Sequence, residues 1–164
     1  MYVLNGLDGA TEVTMTPEIN EFSQSAGIAD TDGDGLGEIY IIEADGKLHC
    51  YENNGTPKVG FLNTIVGSGT NAIELAYSPS FADFDGDGQP EVYVANQIFD
   101  ANTGLILAQT TNPFGDPKGA NSPYGNSSHA FPAAWDILPD NYCTDCSGAE
   151  LVCGNAVYSV NLAS

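Results

Sequence analysis

The stretch Asp30-Thr31-Asp32-Gly33-Asp34-Gly35-Leu36-Gly37-Glu38 recurs 53 residues later, at position 83, as Asp83-Phe84-Asp85-Gly86-Asp87-Gly88-Gln89-Pro90-Glu91. Small and apolar residues precede each copy (Gly27-Ile28-Ala29, Ser80-Phe81-Ala82), and β-branched or aromatic runs follow (Ile39-Tyr40-Ile41-Ile42, Val92-Tyr93-Val94-Ala95). An acidic turn between two short strands, repeated at a fixed period, predicts a repeat architecture.

The chemistry of this turn follows from crowding. Aspartates at relative positions 1, 3 and 5 aim several carboxylates into one small volume, where they repel unless a cation lies between them. Glycines at positions 4 and 6 permit the positive backbone dihedrals that curl a chain around an ion. Calcium fits an all-oxygen set of flexible geometry, whereas magnesium demands a strict octahedron and zinc prefers nitrogen and sulfur. Asp30, Asp32, Asp34, the Leu36 carbonyl and Glu38 are assigned to one site. Asp83, Asp85, Asp87, the Gln89 carbonyl and Glu91 form the other. An EF-hand would need a glutamate at position 12 between helices, but Ile41 and Val94 stand there, with strand-forming flanks. A solvated acidic turn is the bland alternative, and duplication of five spaced ligands in register argues against it.

The pattern of small and apolar residues, then Asp-x-Asp-Gly-Asp-Gly-x-x-Glu, then a strand, resembles the FG-GAP or VCBS repeat of integrin-alpha-like β-propellers. The resemblance covers residues 26 to 55 and 79 to 104. It implies an all-β fold of propeller blades, each a four-stranded antiparallel sheet, with the acidic loop joining the first two strands and holding a structural calcium ion. Two Ca2+ ions are expected.

Nine prolines and 19 glycines, with frequent Tyr, Val, Ile and Thr, fit short strands and tight turns. Residues 1–25 read as the end of one blade, 26–78 and 79–128 as repeats with calcium loops, and 129–164 as a degenerate repeat containing cysteines. Within the first full repeat, Glu38 to Glu43, Lys47 to Tyr51 and Phe61 to Val66 are expected strands, with a hairpin turn at Asp45-Gly46. In the second, Glu91 to Ala95, Gln97 to Asp100 and Leu105 to Thr110 are the later strands. Turn glycines recur at Gly9, Gly55 and Gly104. In the third, Glu150-Leu151-Val152-Cys153 aligns with Glu91-Val92-Tyr93-Val94, but the Asp-Gly-Asp-Gly core is missing after Asp136. Trp135 is expected to pack in the core. Residues 111–128, which include Phe114 and Tyr124, read as a long loop that either binds a ligand or packs on the adjacent blade.

Four cysteines allow three pairings, and Cys143 with Cys146 is preferred because both lie in the expanded third loop. A redox Cys-x-x-Cys would want a helix N-terminus or a nearby cation, and four-cysteine zinc would want a second close pair. His49 and His129 stand too far apart for a catalytic cluster and read as ordinary strand and loop residues. Asn126-Ser127-Ser128 and Asn54-Gly55-Thr56 match the glycosylation acceptor pattern, a short and weak motif.

Twenty-two acidic residues face three lysines and no arginine, for a formal charge of −19, which two calcium ions would move only to −15. Such a surface repels phosphate backbones and anionic lipid, so nucleic acid and direct membrane insertion are poor partners. About three repeats are too few to close a ring, so the chain is expected to be part of a larger propeller, for which the resemblance implies seven or eight blades. Its open blade edges would be covered by further blades or by another chain. The resulting expectation is a secreted or cell-surface protein, not an enzyme, acting in adhesion or in protein or carbohydrate binding. The alternatives are the propeller part of a polysaccharide-degrading enzyme, disfavoured by the scarcity of cationic residues, and a lectin.

Overall fold

The computed structural model describes residues 2–15, 26–42, 47–61, 64–65, 78–94, 97–109, 132–139, 141–142, 148–153 and 156–162. Among these there are thirteen strands in four antiparallel sheets and no helix long and apolar enough to cross a membrane. The first sheet pairs β1 (Tyr2–Leu4) with β2 (Thr11–Thr14). The second is the meander β3 (Gly27–Ala29), β4 (Glu38–Ile42), β5 (Lys47–Tyr51), β6 (Thr64–Ile65). The third repeats it as β7 (Ser80–Ala82), β8 (Glu91–Val94), β9 (Gln97–Phe99), β10 (Ile106–Gln109). The fourth holds β11 (Pro132–Trp135), β12 (Glu150–Cys153) and β13 (Ala156–Tyr158).

The equivalence of the repeats is visible in strand register. Ala29 faces Glu38, Ala82 faces Glu91 and Trp135 faces Glu150, so each acidic loop leaves its first strand and enters its second at the same rung. The turns after Asn5, Glu52 and Asp100 are also related. In each, the glycine N–H (Gly9, Gly55, Gly104) donates back to the carbonyl that opens the turn, and the glycine φ lies between 71° and 83°. That region is open to glycine and costly for residues with a Cβ. The pair β1–β2 therefore corresponds to the last two strands of a repeat.

Alternation along the second strands decides how the sheets stack. Side chains point to opposite faces at successive strand positions. Ile39 and Ile41 of β4 join Met15 and Tyr51 in a cluster against the first sheet. Tyr40 and Ile42 point the other way, into a cluster with Leu48 of their own sheet, Phe61, and Val92, Val94 and Phe99 of the next sheet. In β8 the same division sends Tyr93 toward Leu151 of the fourth sheet and Val160 just beyond it, with Phe84 and Ile98. Both faces are covered, so β4 and β8 are buried throughout and apolar at every position after the entering glutamate. Full burial of such a side chain is worth about 1.5–3 kcal/mol. Edge-to-face ring pairs add specificity: Tyr40 stands 5.5 Å from Phe61 and 5.1 Å from Phe81, and Phe84 stands 5.7 Å from Tyr93.

At the opposite margin from β6 and β10, β3 approaches β7 and β7 approaches β11. Adding a Cβ to Gly27 would bring it to 2.7 Å from Pro79 O, so this close approach requires glycine.

Several expectations are corrected. Among the described residues the sheets have two, four, four and three strands rather than four each. Trp135 is not in the core; it is 74% exposed at the end of β11, on the face of the last sheet that no described element covers. Its counterparts Ala29 and Ala82 face neighbouring sheets. Among the described residues β6 is Thr64–Ile65, and Phe61, expected in that strand, lies outside it and packs in the core beside Tyr40. Leu105 closes a turn and precedes β10 rather than belonging to it. The hairpin at Asp45-Gly46, the loop 111–128, His129, Asn126-Ser127-Ser128 and the Cys143–Cys146 pairing lie outside the described residues.

Candidate metal centres

Carboxylate oxygens of Asp30, Asp32 and Glu38 lie within 4.8 Å of one another, as do those of Asp83, Asp85 and Glu91. The two loops agree in the hydrogen bonds from backbone amides to their aspartates. Asp30 accepts from Gly33 N at 2.8 Å and Gly35 N at 2.9 Å; Asp83 accepts from Gly86 N at 2.7 Å and Gly88 N at 2.9 Å. Asp32 and Asp85 each accept from the amide two residues on, at 3.3 and 3.2 Å. The glycines Gly33, Gly35, Gly86 and Gly88 have φ between 76° and 91°, as expected for a chain curled around a point.

The remaining assigned residues are placed differently. Asp34 and Asp87 are not among the carboxylates within 4.8 Å; each turns back to accept the amide of the seventh residue, Leu36 or Gln89, at 2.8 and 2.7 Å. This is an Asx turn, which orients the amide of the residue assigned to contribute a carbonyl. Leu36 and Gln89 occupy the same loop position, with exposed side chains.

The ninth-position glutamate has two tasks. Glu38 and Glu91 are buried at the start of β4 and β8. Glu38 Oε2 accepts from both Thr31 N and Thr31 Oγ at 2.8 Å, and Glu91 Oε2 accepts from Phe84 N at 2.8 Å. One carboxylate oxygen thus closes the loop mouth, and the other is left for the interior of the loop. Burial pushes the Glu91 carboxyl up to about 7; the Phe84 amide opposes the shift and the Asp85, Asp83 and Asp87 charges add to it. In the third repeat Glu150 keeps the closing role, accepting from Ile137 N and Leu138 N at 2.9 and 3.0 Å. Asp136 is exposed there, and no third carboxylate group is brought together among the described residues.

Four residues that motif reading passes over complete the centres. Thr31 Oγ lies 2.7 Å from the Tyr40 hydroxyl, which donates to Ala101 O at 2.6 Å in the next sheet. Burial raises the Tyr40 pKa, with the nearby Cys50 thiol adding to it, so the phenol stays protonated. Asn102 Nδ2 donates to Thr31 O at 3.1 Å and to Gln89 Oε1 at 3.4 Å, touching both acidic loops. Lys58 Nζ donates to Asp32 Oδ2 at 3.3 Å. Burial disfavours the Lys58 charge, but the bonded Asp32, with Glu38 and Glu52 near, holds its pKa above the usual lysine value. Lys58 and Asn102 lie in turns after the third strand, which fold back to the same end as the acidic loops. That proximity is tertiary, and only the recurring turn glycines hint at it.

The other candidate groups do not form a reactive site among the described residues. Cys50 and Cys153 are buried, which pushes their thiols up to about 12 and about 11, away from reactive thiolates. His49 is buried within β5, paired in register with Ile41. Asn54 is exposed, and its side-chain oxygen accepts from the amide and hydroxyl of Thr56.

A family model described as an FG-GAP-like repeat matches residues 30–94. The match opens on the first aspartate of one loop and closes on the last residue of β8, taking in both candidate centres. No curated protein and no solved structure is significantly similar to the chain.

Proposed function

We propose that this chain is a segment of a calcium-stabilised β-propeller, serving as a binding scaffold of a secreted or cell-surface protein rather than as an enzyme. The observation that carries the reading is the pair of acidic loops, alike in their backbone-to-carboxylate hydrogen bonds and 53 positions apart. The FG-GAP-like repeat over the same residues is consistent with it. The approach of β3 to β7 and of β7 to β11 at one margin, with sheets stacked face to face, supports a reading of successive blades.

The residues fit a calcium ion. Each loop offers carboxylate oxygens on a curled backbone, with no sulfur or imidazole within the cluster. Asp30, Asp32 and Glu38, or Asp83, Asp85 and Glu91, would hold the ion, with Asp34 or Asp87 and the Leu36 or Gln89 carbonyl completing the set. The ion supplies charge neutralisation. The chain's own residues hold the loop mouth closed through Glu38 or Glu91 and thereby fix the angle at which one strand enters the next. Millimolar calcium outside cells suits such sites and so acidic a surface. The ligand of the scaffold would be a protein or a carbohydrate at that surface.

Calorimetric titration with calcium, alongside thermal melting of the parent, Asp32→Ala and Asp85→Ala, tests the reading. Two ions are expected in the parent and one in each variant. A site at 100-fold excess over its Kd adds about 2.7 kcal/mol, roughly 5–10 °C of melting temperature for a chain of this size. Absence of binding at millimolar calcium would reduce the loops to acidic turns.

A further inference from the structure

The two loops match in every hydrogen bond from their own backbone amides, yet among the external contacts of the described residues a cation reaches the first loop and not the second. Lys58 Nζ donates to Asp32 Oδ2 at 3.3 Å, and its side chain is only 11% exposed. No cation among the described residues reaches Asp85. The difference is positional. Tyr51 pairs with Pro57 across the turn of the first repeat, and Phe99 pairs with Ile106 across that of the second. The next residue is Lys58 in one and Leu107 in the other, and Leu107 has neither charge nor donor to offer.

The ammonium is held in place by its backbone. Lys58 N donates to Cys50 O at 2.8 Å. Two residues on, Gly60 packs against Thr103 of the neighbouring sheet so closely that a Cβ would meet Thr103 O at 2.9 Å.

We propose that the two loops are unequal cation sites and that Lys58 sets the difference. Lys58 acts as a tethered cation that relieves carboxylate repulsion in the first loop when no metal is bound, and it weakens that loop for calcium. The second loop therefore fills first. The inference rests on the calcium reading above. A calcium ion bound at about 2.4 Å to the Asp32 oxygen that the ammonium meets at 3.3 Å would lie no more than about 6 Å from that ammonium. Repulsion between a divalent ion and an ammonium at that range is on the order of tenfold in Kd even at the permittivity of water, and more at a partly buried site. If the ammonium instead swings away, the first loop gives up its contact with Asp32, and affinity falls in the same direction.

The test is calcium titration by calorimetry of the parent, Lys58→Met, Asp32→Asn and Asp85→Asn, with melting of each in calcium-free buffer. The parent is expected to show two classes of site separated by about tenfold or more. Asp85→Asn should remove the tight class and Asp32→Asn the weak one. Lys58→Met should tighten the weak class by about tenfold, leave the tight class in place, and lower the melting temperature only in the absence of calcium. Loss of a merely structural contact would lower stability with and without calcium and tighten nothing. Two ions binding with equal affinity, or a tight class that disappears with Asp32→Asn, overturns the assignment to Lys58 while leaving the calcium reading intact. No binding in any protein overturns both.

Discussion

Replacing Tyr40 by Phe removes one oxygen from the core between the two four-stranded sheets and leaves the ring in place. That oxygen joins three parts of the molecule: it lies 2.7 Å from Thr31 Oγ in the first acidic loop and donates to Ala101 O at 2.6 Å in the next sheet. Ala101 and Thr31 are both buried, so water does not replace the lost partner. A buried carbonyl left without its donor costs about 1–3 kcal/mol. The edge-to-face contacts with Phe61 and Phe81 survive, and no cavity term arises. Tyr40→Phe is therefore expected to lose about 1–3 kcal/mol in urea unfolding, or roughly 3–10 °C of melting temperature. Thr31→Val separates the two links, since it removes the hydroxyl bond to Glu38 while leaving Tyr40 to Ala101. A double-mutant cycle should return a coupling of at least about 0.5 kcal/mol between Tyr40 and Thr31. If Tyr40→Phe lies within about 0.5 kcal/mol of the parent, the hydroxyl does not tie the loop to the next sheet.

Further outcomes follow from the same packing. In calcium-free buffer, Glu91 binds its proton more tightly when folded, at about 7, than at the ordinary glutamate value. Its contribution to stability is thus present at low pH and lost as pH rises between those two values; melting from pH 4.5 to 8 should show a decline, which Glu91→Gln abolishes. Gly148→Ala should cost at least about 2 kcal/mol, because φ is 99° and the new Cβ would stand 2.5 Å from Phe84 O; an unchanged unfolding midpoint would refute the packing of the fourth sheet on the third. Phe61→Ala should cost about 3–5 kcal/mol, whereas Val59→Ala, at a position 90% exposed, should stay within about 0.5 kcal/mol; comparable losses in the two would contradict the core as described.

Local chemistry was legible without coordinates wherever the chain interacts with its own near neighbours. The acidic loops, their glycines and the strands Lys47–Tyr51 and Glu150–Cys153 all depend on contacts a few residues apart, or on the two-residue periodicity that a sheet imposes. The three turns at Gly9, Gly55 and Gly104 could be aligned by spacing for the same reason. Which side of a strand meets which neighbouring sheet was not legible. β4 and β8 are apolar on both faces, so their composition carries no sign of direction.

Tertiary structure alone decided the rest. Trp135 looked like a core residue because aromatic side chains usually bury themselves. It lies exposed because its strand belongs to the last sheet, whose outer face meets no described partner. Lys58 and Asn102 carry no motif. They reach the acidic loops because antiparallel meandering returns the turn after the third strand to the end where the first strand becomes the second. A repeated sequence specifies equal loops through short-range hydrogen bonds. The single lysine that makes one loop different from the other acts through space, across 26 residues, where no local pattern records it.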